Sequence, residues 1–272
     1  MGRVDKRNII RLWDESAILY HQYALKYPFY RKTSEKLVQL ANLNRKEEVI
    51  ELGCGTGITT KMIAEKVKKV IAIDQSKKAI EIAKKYVNKP NVVFICDDIF
   101  NVSGIKAKKV LSNICVSLVF SEKSDRIKNF LKKGGEIYFS LPNQFFKRRR
   151  KKLWVDEVRR YLKEFGYEMP KRRDAILTLP LIEEKLGLKI EKTAELKIRR
   201  TKKDLIEFFK IPVFRRHSFG NIPEEIICKA FKKNKNQNLY QHNLFFQRKE
   251  IKLGGSAAVA SAASQTTVGV GD

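Results

Sequence analysis

Val49-Ile50-Glu51-Leu52-Gly53-Cys54-Gly55-Thr56-Gly57, running into Ile58-Thr59-Thr60-Lys61-Met62-Ile63-Ala64, is the stretch that decides the fold. A short apolar run stops at three glycines on alternate positions, and a helical segment follows. This reads as strand, tight turn and helix. Glycine, without a Cβ, lets the backbone turn sharply and lets a ligand come close. The free N–H groups that open the helix point back at the turn, where they favour an anionic group such as a carboxylate. A dinucleotide fingerprint would require glycine at position 58, where this chain has Ile58, so the spacing argues against NAD.

Outward from this turn, short β-branched runs alternate with amphipathic segments from residue 46 on. Strands are predicted at 48–52, 69–73, 91–96, 109–113 and 135–140, with helices at 59–67, 77–86 and 124–132. The last of these helices closes on Lys132-Lys133-Gly134-Gly135, basic residues at the negative end of the dipole followed by a glycine turn. Further strands at 189–196 and near 243–248 bring the number to seven; helices are expected at 202–210 and 224–233, with a Pro/Gly-punctuated loop through Pro223. The expectation is an α/β fold: a Rossmann-like, seven-stranded, mostly parallel sheet with helices on both faces. Residues 1–45 read as an N-terminal helical cap and 46–142 as the core. Residues 143–187 read as a basic helical insertion after the fifth strand, and 188–252 as the rest of the core with a further insertion. The Ala/Ser/Gly-rich stretch 253–272, without a charge until its terminal Asp272, reads as a disordered tail.

Chemistry-bearing residues gather around the turn. The second strand ends at Asp74-Gln75, 23 residues after Glu51, where a carboxylate can accept both hydrogens of a ribose diol. Asp74 could instead cap the helix at 77–86, a role that Ser76 also fits. Asp97-Asp98 follows the third strand and Ser112-Asn113-Ile114 ends the fourth. The cap carries Trp13, Tyr20, Tyr23, Tyr27, Phe29 and Tyr30, too aromatic for a solvated arm. Candidates for a catalytic base are His21, Tyr20 and His217.

Composition sets the remaining bounds. With 57 Lys and Arg against 30 Asp and Glu, the chain carries +27, a field that attracts RNA, anionic lipid headgroups or an acidic carrier protein. A lysine-solvated surface gives the same count. Lys147-Arg148-Arg149-Arg150-Lys151-Lys152 with Trp154, and the pairs Arg172-Arg173, Arg199-Arg200 and Arg215-Arg216, suit phosphate or carboxylate. No apolar run approaches the roughly 20 residues of a membrane-spanning helix, and the charged N-terminus lacks a secretory pattern, so a cytoplasmic protein is expected. The four cysteines, widely spaced, suggest neither a disulfide nor a metal site.

Residues 49–57 and 70–76 resemble class I S-adenosylmethionine-dependent methyltransferases, whose first motif has the form E/D-x-G-x-G-x-G and whose second strand ends in an acidic residue. The resemblance implies S-adenosylmethionine as cofactor, with Glu51, Gly53, Cys54, Gly55, Thr56 and Gly57 at its amino acid end, Asp74 and Gln75 at the ribose, Asp97 and Asp98 at the adenine, and Asn113 facing the reacting methyl. Trp13-Asp14-x-x-Ala17-x-x-Tyr20, Leu131 to Gly135 and Asn243 to Lys249 are similar to the small-molecule branch of quinone and biotin synthesis. That branch implies an anionic small-molecule or lipid-like acceptor. Residues 41–100 also look like ribosomal RNA adenine dimethyltransferases, which carry Asn-Leu/Ile-Pro-Tyr/Phe after the fourth strand. Here the chain reads Asn113-Ile114-Cys115-Val116, without the proline or the stacking ring that would hold a splayed adenine. A basic RNA-binding factor without catalysis is the non-enzymatic alternative.

Overall fold

The computed structural model describes residues 6–142, 154–169, 177–234 and 240–249. The basic run 147–152, the pair Arg172-Arg173 and the tail 253–272 lie outside the described residues. Two helices, α1 (Lys6–Lys26) and α2 (Pro28–Ala41), precede β1 (Glu48–Leu52), α3 (Ile58–Ala64), β2 (Lys69–Asp74), α4 (Lys77–Val87), β3 (Val92–Cys96) and β4 (Ala107–Asn113). After α5 (Ser117–Phe120) and a 3-10 turn (Ser124–Phe130) come β5 (Leu131–Pro142), α6 (Trp154–Glu164), α7 (Leu179–Leu186) and β6 (Lys192–Arg199). The chain closes with α8 (Lys202–Lys210), α9 (Pro212–Phe219), α10 (Glu224–Lys233) and β7 (Tyr240–Lys249).

The strands form one sheet in the order β3-β2-β1-β4-β5-β7-β6. β7 runs antiparallel to both of its neighbours, and β1 to β5 pair in parallel. The expected α/β architecture is therefore the one observed. Side chains of β1 alternate between two cores as a strand's period of two requires. Ile50 and Leu52 pack with Leu118, Ile127 and Phe139 on one face. Val49 packs with Leu37, Ile63 and Ile80 on the other. Order reverses between β1 and β4, and the crevice beyond the carboxyl ends of those strands is where open α/β sheets bind ligands.

Three local expectations give way. The helix expected at 124–132 stops as a 3-10 turn at Phe130, and β5 begins at Leu131. Leu131 is buried and already pairs with Ala107; the next pairing is Lys109 with Glu136, so Lys132 to Gly135 bulge out of the ladder. The two glycines serve that bulge. The expected loop before Pro223 contains α9, which starts on Pro212, a residue pre-shaped for the first helical turn. Its Val213 N–H is capped by the Ser16 hydroxyl of α1 at 3.0 Å, a partner 197 residues away that no local reading can supply. The strand expected at 189–196 lies at Lys192–Arg199, where antiparallel pairing with β7 sets its limits.

Helices α6, α8, α9 and α10 close a separate core around Val158, Leu162, Leu205, Phe209, Phe219 and Phe231. The N-terminal pair α1 and α2 joins this layer to the sheet through a buried ion pair. Arg200, 2% exposed, donates from Nε to Asp204 Oδ2 at 2.5 Å and from Nη2 to Oδ1 at 2.9 Å. It also donates to the Tyr23 hydroxyl at 2.6 Å, and that hydroxyl donates to Asp204. The guanidinium lies 4.7 Å from the ring centre of Phe29 and 5.3 Å from that of Phe208. No helix among the described residues is long and apolar enough to cross a membrane.

Arg200→Ala would leave Asp204 charged and unpaired in this core, a defect that costs about 3–5 kcal/mol. Tyr23→Phe removes one hydroxyl from the same network and is expected to cost about 1 kcal/mol. Urea denaturation of the two variants checks both the order and the size of the losses.

Candidate functional site

The glycine turn sits at the carboxyl end of β1, at the switch point. Gly53 N–H and Cys54 N–H both donate to the Ile73 carbonyl, at 2.8 and 3.0 Å, which ties the exit of β1 to that of β2. Gly53, Gly55 and Gly57 have φ of +70, +53 and +86°, the left-handed region that costs other residues about 1–2 kcal/mol. Their reasons for being glycine differ. A Cβ on Gly53 would lie 2.6 Å from Cys115 Sγ, and one on Gly57 2.8 Å from Val87 and 3.2 Å from Ala83 of α4. Protein fills both spaces. Gly55 alone opens outward, with Tyr20 Cε1 at 3.9 Å as the first atom its Cβ would meet. Two of the three glycines therefore admit close packing of the protein itself.

Carboxylates lie under and beside the turn. Glu51 is buried and accepts from Thr60 Oγ1 of α3 at 2.6 Å. Burial pushes its carboxyl up to about 8, against the Thr60 hydrogen bond, which pulls it down. Asp74 Oδ2 accepts from Gly55 N–H and Oδ1 from Ser76 N–H, both at 2.9 Å. Burial raises its affinity for a proton, and those backbone donors oppose the rise. The capping role weighed for Asp74 falls to Ser76, whose hydroxyl accepts from Ala79 N–H at the start of α4. Ser76 in turn donates to Asp14 Oδ1 of α1 at 2.6 Å, and Lys78 N–H meets the same oxygen at 3.1 Å. Gln75 stands half-buried between the two.

Helix α1 roofs the turn. Thr56 Oγ1 shares a 3.0 Å hydrogen bond with His21 Nδ1, and burial lowers the proton affinity of that imidazole, so it stays neutral at pH 7. The Tyr20 ring packs 4.8 Å from Tyr30, with Trp13 and Phe214 beyond. Burial holds the Tyr20 and Tyr30 phenols protonated. His217 is exposed on the last turn of α9. The three candidate bases are therefore not gathered: Tyr20 and His21 face the turn, and His217 stands at the surface.

On the other side of the crevice, Asn113 ends β4 with its amide engaged. Its Nδ2 lies 3.0 to 3.3 Å from the hydroxyls of Ser34, Thr59 and Thr33, and its Oδ1 accepts from Ser140 at 2.7 Å. Ile114 then takes φ +58°, rare for a β-branched residue, and is held there by its N–H bonds to the Ser140 hydroxyl and carbonyl. This kink sends Ile114 into the aromatic cluster of the cap and drops Cys115 onto Gly53. At the end of β3, Asp97 is exposed and accepts from Asp98 N–H and Asn101 Nδ2, and Asp98 accepts from Phe100 N–H at 3.1 Å. Sequence reasoning missed Ser34 and Ser140 and read Asp14 only as part of a motif; the partners that make them set this frame lie 25 to 79 residues away in the chain.

Comparison with known proteins places this geometry. Residues 49–135 match the family described as methyltransferase domain. A malonyl-[acyl-carrier protein] O-methyltransferase of Priestia megaterium is 29% identical over 133 residues, 44% of this chain and 48% of that protein. A protein of Methanococcus aeolicus named probable ribosomal RNA small subunit methyltransferase A is 37% identical over 86 residues, 29% of this chain and 31% of its own. The chain thus spans about half the length of one curated relative and a third of the other. Among solved structures, coclaurine N-methyltransferase bound to N-methylheliamine and SAH superposes with a TM-score of 0.53 at 12% identity, over 81% of this chain and 72% of that one. At that identity the likeness concerns the fold. The stretch that matches the methyltransferase domain model holds the glycine turn, Asp74 and the ends of β3 and β4.

Proposed function

We propose that the protein is an S-adenosylmethionine-dependent methyltransferase whose acceptor is an anionic oxygen, a carboxylate on a small or lipid-like molecule or on an acidic carrier protein. The observation that carries this reading is the turn itself: Gly55 is the one turn glycine whose missing side chain faces open space, between Asp74 and Tyr20. The residues fit the cofactor's parts. Gly53 to Gly57 would hold the amino acid end, where the first N–H groups of α3 favour a carboxylate. Glu51, which burial keeps protonated to about pH 8 in the free protein, would become a carboxylate partner for an ammonium group bound there. Each Asp74 oxygen accepts one backbone N–H and has a further lone pair for a ribose hydroxyl. Gln75 would flank the ribose, and Asp97 and Asp98, at the end of β3, would meet the adenine. Asn113, its amide already engaged, holds the exit of β4 in place.

The bound cofactor supplies an electrophilic methyl group on a sulfonium. The chain's own part is to align a nucleophile in line with that methyl and to exclude water, which together account for about 7–11 kcal/mol of barrier lowering in well-oriented reactions. The tyrosines over the turn stay protonated and so make poor bases, leaving neutral His21 as the only candidate base among them. A carboxylate acceptor arrives deprotonated and needs none. The similarity to an O-methyltransferase acting on a carrier-borne malonyl group supports the same acceptor class.

Isothermal titration with S-adenosylmethionine, its demethylated product and NAD tests the proposal. Binding of the first two near micromolar, about 8 kcal/mol, with none of NAD, is expected; no binding of either would overturn the reading. Asp74→Asn is expected to weaken cofactor binding tenfold or more, since a charged hydrogen bond is worth about 1.5–3 kcal/mol. Gly55→Ala should keep the fold and lose cofactor affinity, whereas Gly57→Ala should lower the melting temperature, because Val87 occupies the space of its Cβ. Glu51 gives a pH signature. Its folded carboxyl holds a proton up to about pH 8 while the unfolded one releases it near the ordinary glutamate value of 4.5. Between those values unfolding releases a proton, so the free protein loses stability as pH rises, by up to about 1.4 kcal/mol per unit, and levels off above 8. Glu51→Gln is expected to flatten that slope in urea melts from pH 5 to 8.

A further inference from the structure

The excess positive charge has a focus away from the crevice. The segments that enter the amino ends of β1, β2, β4 and β5, residues 45–48, 65–69, 106–109 and 132–136, hold ten Lys and Arg against four Glu. Arg45, Lys46, Lys66, Lys68, Lys106, Lys108, Lys132 and Lys133 are all exposed, and among the described residues none of the eight is in an ion pair. On the helices, Arg11, Arg31, Lys78, Arg160 and Lys210 each meet a glutamate three or four residues away, while others, such as Lys84, Lys203 and Lys229, are also in no ion pair among the described residues; what sets the eight apart is that they share one end of the sheet. The four segments make one continuous rim. Lys68 N–H bonds the Glu47 carbonyl at 2.8 Å, Lys109 Nζ reaches Glu47 at 2.8 Å, and Lys108 Nζ reaches the Lys133 carbonyl at 2.6 Å.

Four adjacent strands at about 4.8 Å spacing make a strip about 15 Å long. β1 is five residues long, so the strip lies about 16 Å from the glycine turn, at the opposite end of the sheet. Its charge cannot serve the acceptor in the crevice. We propose that this rim docks the phosphate backbone of a nucleic acid duplex. Phosphates about 3.4 Å apart along each strand give some four or five charges over 15 Å, on the scale of the cations present. Seven of the eight are lysines, point charges suited to sequence-independent phosphate contact rather than bidentate base reading. Of the large apolar side chains exposed among the described residues, Ile9, Ile18, Leu19, Leu25, Val93, Val116, Phe120, Phe165 and Leu179, none belongs to these segments. The rim therefore lacks the aromatic platform that single strands stack on and the apolar wedge that adds to charge in membrane anchoring. This inference is independent of what the crevice methylates.

Fluorescence anisotropy with 20-base-pair RNA and DNA duplexes between 50 and 200 mM salt tests it. The wild-type chain should bind both, with the log of the binding constant falling linearly in the log of salt. The variant K106E/K108E/K132E/K133E should bind at least tenfold more weakly, with a slope shallower by about 3 to 4, and keep its affinity for S-adenosylmethionine. The control K192E/K203E/K229E/K232E makes the same charge change at exposed positions elsewhere and should lose less. Equal losses in the two variants would show a diffuse charge and overturn the proposal. So would absence of duplex binding at 50 mM salt, including the case in which phosphatidylserine vesicles are bound instead.

Discussion

Everything at the candidate site depends on how the chain leaves β1. It must emerge between β2 and β4, reverse within a few residues and start α3 over the same sheet, and this is possible only with left-handed backbone at three alternate positions. Two N–H groups on one carbonyl, those of Gly53 and Cys54 on Ile73, pin the turn to β2, and the Asp74 carboxylate holds its middle through Gly55 N–H. Because Cys115 and Val87 occupy the spaces beside Gly53 and Gly57, the turn is clamped between β4's exit and α4. Its free face is thereby confined to Gly55. A ligand surface is made here by filling every other approach with protein.

The cap answers a second constraint. An α-helix laid over a ligand crevice has little sheet beneath it, so its position must come from polar anchors and aromatic packing. Helix α1 has four such anchors in sequence: Asp14 on the start of α4, Ser16 on the start of α9, His21 on Thr56, and Tyr23 on the Arg200–Asp204 pair. Desolvating that pair is costly, and the cost is offset only while every donor and acceptor is matched. The same tyrosine-rich packing that fixes the cap keeps its phenols protonated.

Charge is distributed by the same architecture. In a parallel sheet all loops that feed strands collect at one end and all loops that carry chemistry collect at the other. Five helical cations meet a glutamate three or four residues away, whereas none of the eight exposed cations at the amino ends is in an ion pair among the described residues. The lysine excess of the composition thus includes a cluster at one end of the sheet, with Glu51, Asp74, Asp97 and Asp98 at the other.

The sequence by itself determined the fold class and the centre of the site, because both rest on short-range patterns: alternation with a period of two, helical periodicity, and glycines whose required backbone angles are local. Asp74 was legible for the same reason, lying at the end of a strand whose partner could be counted. Tertiary structure alone decided which glycine faces open space, since that depends on Cys115 and Val87 arriving from 62 and 30 residues away. It also turned Asn113 from a candidate contact into a bracket between α2, α3 and β5, and made Arg200, which reads in sequence as half of an anion-binding pair, the buried centre of the cap's attachment. Local patterns state what a residue can do; burial and long-range partners select which of those possibilities it carries out.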